Sequence, residues 1–108
     1  MTARELKQIR DLKKELKYLE GKIKSTNSAN INKKLISLQK RVEKEEVAAI
    51  EFIANIPDSF TRRIFEYRYL EGYTYAKIAM RIGGGNTPDS VRKTAERYFT
   101  TIIESEDN

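Results

Sequence analysis

Apolar residues in the first part of the chain recur at helical spacing, and charged or polar side chains fill the positions between them. Thr2 and Glu5 have the spacing of a capping box, which predicts that a helix begins there. Successive apolar residues are then three or four positions apart, close to the 3.5-residue repeat of a coiled-coil seam. A stripe this narrow does not stabilise an isolated helix, so we expect the helix to pack against another one. The stripe consists of Leu6, Ile9, Leu12, Leu16, Leu19 and Ile23.

A second helix is predicted from about Ile31 to Asn55, after a loop of small polar residues at positions 25–30. Ser28 or Asn30 is placed to cap it. Two helices of similar length joined by a short loop predict an antiparallel hairpin within the chain, and pairing of these helices between two copies stays open beside it. The apolar face of the second helix consists of Ile31, Leu35, Leu38, Val42, Ala49, Ile50 and Ile53.

A third helix follows a proline boundary. Pro57 ends the second helix, because the residue before a proline is disfavoured in the helical region. Asp58 or Ser59 is then placed to cap a helix that runs through Leu70. Gly72 can adopt the left-handed conformation that ends it. The candidates for burial on this helix are Phe60, Ile64, Phe65, Tyr67 and Leu70.

Two further helical segments are separated by a glycine-rich turn at residues 83–86. Thr74 is placed to cap a helix over residues 75–82, on which the small Ala79 permits a close helix crossing. Thr87-Pro88 predicts the start of a final helix that runs from Pro88 to about Ile103. Proline is favoured at the first helical position, because the N–H group that it lacks would have no partner within the helix there. The residues expected to face the core from these two helices are Ile78, Ile82, Val91, Ala95, Tyr98 and Ile102.

Together these elements predict an all-α fold, in which a long N-terminal helical hairpin or coiled coil precedes a three-helix helix-turn-helix domain. The expected division is a hairpin over residues 1–55 for pairing or positioning, a DNA-binding domain over residues 56–103, and an acidic tail over residues 104–108.

Composition narrows the classes of function. The chain carries 21 Lys and Arg against 16 Asp and Glu, a formal net charge of +5, which permits a polyanionic partner. It contains no cysteine and no histidine, and its acids lie in helical charge runs. We therefore expect no enzyme, no metal site, no cofactor and no small-molecule substrate. The sequence has no long apolar run and no apolar N-terminal segment, so we expect no membrane partner and a cytoplasmic location.

The polar face of the final helix is the candidate site. An α-helix fits the major groove of duplex DNA, and the N-terminal residues of a recognition helix reach the base edges. Arg92 or Lys93 is suited to reading guanine or holding a phosphate, and Asn86 or Thr87 to a phosphate contact at the helix N-terminus. The residues predicted to contact DNA are Asn86, Thr87, Ser90, Arg92, Lys93 and Arg97, and the candidate phosphate contacts outside this helix are Arg62, Arg63 and Lys77.

Two stretches carry a resemblance to a known family. Residues 68–79 read RYLEGYTYAKIA, and residues 90–93 read SVRK. In this order they resemble the promoter-reading C-terminal region of bacterial sigma factors, in particular small phage-encoded proteins with a sigma-like helix-turn-helix. The resemblance covers about residues 56–99, leaves out the N-terminal helices, and includes a longer turn than sigma factors usually have. It implies a compact helical DNA reader with Thr87 to Arg97 as its recognition segment, in an accessory activator or repressor rather than a complete sigma factor.

The function expected from the sequence is a sequence-specific, duplex-DNA-binding transcription regulator of phage or mobile-element type in the cytoplasm of a bacterial host. Its expected partners are double-stranded DNA and a second copy of the chain, with host RNA polymerase as a further candidate. One alternative is a small DNA-packaging or assembly subunit, in which a helix-turn-helix is joined to oligomerising helices. The other is a polymerase-binding adaptor that uses the third helix and the acidic tail.

Overall fold

The computed structural model describes residues 1–23 and 29–106, and every regular element in these ranges is helical. The all-α prediction is therefore confirmed. The elements are α1 (Ala3–Ile23), α2 (Ala29–Ala54), α3 (Ser59–Phe65, continued by a π-helical turn at Glu66–Leu70), α4 (Tyr75–Ile82) and α5 (Pro88–Glu106).

The N-caps predicted for α3 and α4 are confirmed. The Asp58 carboxylate accepts a hydrogen bond from the backbone N–H of Thr61 at 2.9 Å, and α3 begins one residue after Asp58. The Thr74 hydroxyl accepts one from the backbone N–H of Lys77 at 3.2 Å, and α4 spans the predicted residues. Each cap satisfies an N–H group that has no partner within the helix, which is why these short polar side chains mark the helix starts.

The boundaries of α2 and α5 differ from the predicted ones. α2 begins at Ala29, so Asn30 lies inside the helix and is wrong as its cap; alanine, the strongest helix former, favours this earlier start. The other predicted cap, Ser28, lies outside the described residues, as do residues 25–27 of the predicted loop. α5 continues to Glu106 instead of ending near Ile103, so residues 104–106 of the predicted acidic tail are helical. Residues 107–108 of that tail lie outside the described part of the chain.

The end of α3 is wider than the sequence predicts. Residues 66–70 form a π-helical turn, with a closing backbone hydrogen bond between groups five residues apart. Gly72 follows with a φ of 76°, the left-handed conformation predicted for it. The rings of Tyr67 and Tyr73 stack across this turn with centroids 5.4 Å apart. This aromatic contact stabilises the wider turn, which has poorer helical geometry than an α-helix.

α1 and α2 lie antiparallel within one chain. Lys13 on α1 forms an ion pair with Glu46 on α2 at 2.7 Å, and the same ammonium donates to the carbonyl of Leu70 at 2.9 Å. Further along, Leu19 on α1 lines the same groove as Leu38 on α2. Residue numbers thus rise along one helix as they fall along the other. Pairing of these helices between two copies stays a prediction.

The buried core differs from the predicted apolar faces in several places, and Ala3 and Ile56 are among the buried residues that those faces leave out. Ile50 is 50% exposed, because Ala49 and Ile53 occupy the inward positions of that part of α2. Tyr69 and Phe99, which the predicted faces leave out, are 4% and 2% exposed. Both follow a fully buried residue by four positions, and this spacing returns a side chain to the same helix face.

One hydrophobic core joins α1 and α2 to the last three helices. Ile9 from α1 belongs to the same buried cluster as Phe65 from α3 and Phe99 from α5. The Phe65 ring lies 5.5, 5.3 and 5.1 Å from the rings of Tyr69, Tyr98 and Phe99, at distances where aromatic pairs add to the energy of burial. The predicted boundary between hairpin and DNA-binding domain therefore falls inside a single packed core.

Replacing Ile9 with alanine is expected to destabilise the whole chain rather than α1 alone. Ile9 is fully buried in the shared core, and such a truncation costs about 2–5 kcal/mol of unfolding free energy. Urea denaturation followed by far-ultraviolet circular dichroism and by tyrosine fluorescence should give one coincident transition, shifted to lower urea.

The matched control for this variant is Ile36→Ala, the same change at a position of α2 that is 52% exposed. Because Ile36 buries little apolar area, its truncation should change the midpoint far less. Separate transitions for the two probes, or equal effects of the two variants, would contradict a shared core.

Candidate nucleic-acid interface

A turn of three glycines connects α4 to α5. Gly83, Gly84 and Gly85 have φ values of 69°, 64° and 81°, a succession that side chains with a Cβ rarely adopt. Asn86 closes the turn, because its side-chain amide donates to the carbonyl of Gly83 at 2.8 Å. The Asn86 side chain, a predicted DNA contact, is therefore already engaged in holding the turn.

The buried face of α5 fixes how this helix is rotated about its own axis. Val91, Ala95 and Phe99 are each at most 2% exposed and pack in the same core as Ile78 and Ala79 of α4. At about 100° per residue, the opposite face of α5 carries a row of charged residues. We call this row the outer stripe; it consists of Asp89, Arg92, Lys93, Glu96 and Arg97, all exposed.

Two hydroxyl groups cap the start of α5, and each accepts a hydrogen bond from the backbone N–H of the other residue. The Thr87 hydroxyl accepts from the backbone N–H of Ser90 at 3.1 Å, and the Ser90 hydroxyl accepts from the backbone N–H of Thr87 at 2.9 Å. The Ser90 hydroxyl also donates to the Thr87 carbonyl at 2.9 Å. This arrangement is a capping box with serine in the place of the usual Glu or Gln. Both predicted DNA contacts thus have a structural role at the helix start.

Asp89 holds the two principal candidates for base contact. Its carboxylate forms ion pairs with Arg92 at 2.6 Å and with Lys93 at 3.0 Å. The hydrogen bond from Arg92, followed by that from Lys93, lowers the pKa of Asp89 below its ordinary value. The same bond raises the pKa of Arg92 above its ordinary value. The two cations are therefore held side by side on the first turns of α5, with nearly half or more of each side chain exposed.

The predicted set of DNA-contact residues leaves out Asp89 and its role as a counter-ion. The signal was present, since residues three and four apart on a helix are neighbours and opposite charges at these spacings attract.

Arg97 lies further along the outer stripe. Its Nε donates to the backbone carbonyl of Lys93 at 3.4 Å, and the side chain remains exposed. Arg97 lines the same groove as Asp58 and Thr61, at the start of α3. Glu96 places an acid between Arg97 and the cations of the first turns, so the outer stripe carries both signs of charge.

The other residues predicted to contact phosphate lie in three different environments. Arg62 donates to the carbonyl of Ile56 at 3.0 Å and is half-buried, so its guanidinium supports the connection between α2 and α3. The Lys77 ammonium lies 3.9 Å from the ring centroid of Tyr73, a cation–π contact at an exposed position. Arg63 is exposed on α3. The structure thus brings Thr87, Ser90, Arg92 and Lys93 onto one stretch of helix and leaves Arg62 outside it.

Metal-holding clusters and membrane-spanning helices are absent from residues 1–23 and 29–106. These ranges contain no group of three or more acidic side chains arranged to hold a metal ion. None of their helices combines the length and apolar character needed to cross a membrane. Comparison of the chain with models of protein families, with curated proteins and with solved structures gave no match.

The Asp89 carboxyl is expected to titrate below the ordinary aspartate range in a carbon-13 NMR titration, because its protonation must break the bond to Arg92. Arg92→Ala should move the midpoint upward. Since the folded-state pKa is the lower one, the stabilisation from this pair is present at neutral pH and is lost as the pH falls through that pKa.

Arg41→Ala is the matched control, because it removes one exposed arginine from α2 and leaves the outer stripe intact. It should leave the Asp89 midpoint in place. An ordinary midpoint in the parent protein would show that Asp89 does not hold Arg92 in solution.

Proposed function

We propose that this protein is a sequence-specific regulator of transcription that binds duplex DNA, of phage or mobile-element type, with α5 in the major groove. α4, the glycine turn and α5 act as a sigma-like helix-turn-helix, and α1 and α2 position it. The resemblance of residues 56–99 to the promoter-reading region of sigma factors supports this placement.

The observation that carries the proposal is the contrast between the two faces of α5. One face consists of the buried residues Val91, Ala95 and Phe99. The other face exposes Arg92 and Lys93 within the first two turns. Side chains near the N-terminal end of a recognition helix are the ones that reach base edges, and arginine and lysine are the commonest partners of guanine.

The ion pairs of Asp89 support a reading role over simple attraction to phosphate. A carboxylate between two cations lowers the attraction for any phosphate chain, because it repels the same negative charge. It also holds Arg92 and Lys93 in one arrangement, which reduces the conformational entropy that these long side chains lose on binding. Such a site distinguishes one DNA sequence from another by the geometry of its side chains more than by its net charge.

Arg92→Ala and Lys93→Ala are each expected to weaken binding to the preferred duplex by about 1–3 kcal/mol, because each removes a base contact. The duplex is obtained by selection from a random oligonucleotide pool, and the dissociation constants are measured by fluorescence anisotropy at one fixed salt concentration. Arg41→Ala and Lys40→Ala are the matched controls, since they remove the same charges from exposed positions on α2. Parental affinity in both α5 variants would mean that the outer stripe is not the recognition surface.

A salt series on the same proteins separates base contacts from phosphate contacts. Affinity for duplex DNA should fall as salt rises, because bound cations release counterions from the DNA. A variant that loses a phosphate contact should bind all sequences more weakly, with a slope reduced by about 1, whereas loss of a base contact should relax the sequence preference. Binding that does not respond to salt would contradict the electrostatic part of the proposal.

The mass of the protein in solution separates a regulator from a DNA-packaging subunit. Light scattering should give a monomer or a dimer for the regulator, whereas a large ring would favour the packaging subunit. Failure to bind any duplex, together with retention on RNA polymerase, would favour the adaptor.

A further inference from the structure

A positively charged cleft lies where α1 meets the π-helical turn, α4 and α5. Its volume is about 260 Å³, below the roughly 300–1,000 Å³ typical of pockets for drug-sized ligands. Three bases line it, namely Lys7 and Arg10 from α1 and Arg68 from the π-helical turn. Asp11 and Glu96 also line it, which leaves an excess of one positive charge.

Each of two arginines that line this cleft keeps one donor buried behind the cleft surface. The Nε atoms of Arg10 and Arg68 are buried, and neither forms a hydrogen bond in the structure. A buried donor left unsatisfied costs free energy, and most native buried donors have a partner. Arg68 is otherwise well held, since its Nη1 donates to the carbonyl of Tyr73 at 3.2 Å and its guanidinium lies 3.9 Å from the ring centroid of Tyr75.

The two guanidinium groups also repel each other. Burial lowers the pKa of Arg10 below its ordinary value, and the positive charge of Arg68 lowers it further. Arginine stays protonated in proteins, so the pair keeps both charges at neutral pH. Asp11 and Glu96 line the cleft, but neither forms an ion pair with Arg10 or Arg68. An anion in the cleft would relieve this repulsion and give the terminal N–H groups of the two guanidiniums a charged acceptor.

We propose that this cleft binds a single phosphate group, which accepts hydrogen bonds from the terminal N–H groups of the Arg10 and Arg68 guanidiniums and attracts Lys7. Arginine suits this role, because its planar guanidinium presents several donors that match the oxygens of a phosphate. The small volume favours one phosphate group over a whole nucleotide.

The position of the cleft indicates where the phosphate comes from. Glu96, which lines the cleft, belongs to the outer stripe of α5 and follows Arg92 by four residues, one helical turn. A phosphate of the DNA backbone that flanks the groove occupied by α5 is therefore the expected source, and this step rests on the proposed function. α1, which takes no part in the resemblance to sigma factors, then becomes a part of the DNA-binding surface.

The first experiment uses inorganic phosphate as the probe. The full chain is titrated with phosphate at constant ionic strength, with chloride as the balancing anion, while the NMR signals of the arginine Nε–H groups are followed. The signals of Arg10 and Arg68 should shift together and saturate, and Arg10→Gln should abolish the response of the Arg68 signal. Lys14→Gln is the matched control on an exposed position of α1 and should respond like the parent. Absence of a saturable shift in the parent would overturn the proposal.

The second experiment measures duplex DNA binding by the same proteins over a salt series. If the phosphate belongs to DNA, Arg10→Gln should weaken binding to all sequences by roughly tenfold and reduce the salt slope by about 1, whereas Lys14→Gln should not. Saturable phosphate binding with parental DNA affinity in Arg10→Gln would assign the cleft to free phosphate and overturn the DNA arm.

A third variant guards against a simple loss of folding. Arg10→Lys keeps the positive charge and the aliphatic stem but removes the planar set of guanidinium donors, so it should fold and still lose most of the response of the Arg68 signal. A full response in Arg10→Lys would contradict the role of the guanidinium.

If the parent binds phosphate but no duplex of any sequence, the cleft stands and the proposed function fails. If the parent binds duplex DNA but shows no phosphate response, the cleft fails and the proposed function stands.

Discussion

The contact between Phe65 and Phe99 is the one on which the rest of the structure depends. Their ring centroids are 5.1 Å apart, and both side chains are almost completely buried. Phe99 sits on the inner face of α5, so this contact determines which residues of the helix face outward. A change of one residue in this packing would turn the helix by about 100° and remove Arg92 and Lys93 from the outer stripe. The chemistry of the exposed face is therefore set by apolar packing on the buried one.

α1 contributes to this packing from the other side. The Lys7 ammonium lies 4.4 Å from the ring centroid of Phe99, and Ile9 is buried in the same cluster as Phe65. Lys13 ties α1 to Glu46 of α2 and to the carbonyl of Leu70 at the end of the π-helical turn. The N-terminal helices therefore hold α5 in place as well as each other, which a separate appendage would not do.

Local features of this fold are readable from the sequence, and features that depend on distant contacts are not. The caps at Asp58 and Thr74 follow from short-range hydrogen bonds, and the sequence indicates both. The pairing of Asp89 with Arg92 and Lys93 is also local and follows from helical spacing. By contrast, Arg10 and Arg68 are far apart in sequence, and only the packing of α1 on the π-helical turn places them in one cleft.

The inward face of α2 also depends on distant contacts and cannot be predicted from the sequence alone. Ile50 and Ile53 are the same residue type on one helix, and local pattern alone does not show which of them is buried. Ile53 packs in the shared core and Ile50 does not, because α2 meets α1 and the later helices from particular directions. The wider turn after Phe65 likewise has no local signature, since its stacked tyrosines belong to segments on either side of Gly72.

The shared core has a consequence for how this chain can be taken apart or recombined. Helical DNA readers are often thought of as cassettes that can be exchanged between proteins, because they fold without help from their neighbours. In this chain Ile53 and Ile56 precede the proposed DNA-binding segment and lie in the same buried cluster as Ile64 and Phe65. A segment cut at the end of α2 would leave an uncovered apolar surface, which favours aggregation. Domain-swap and fusion experiments with this protein should therefore carry α1 and α2 along with the last three helices.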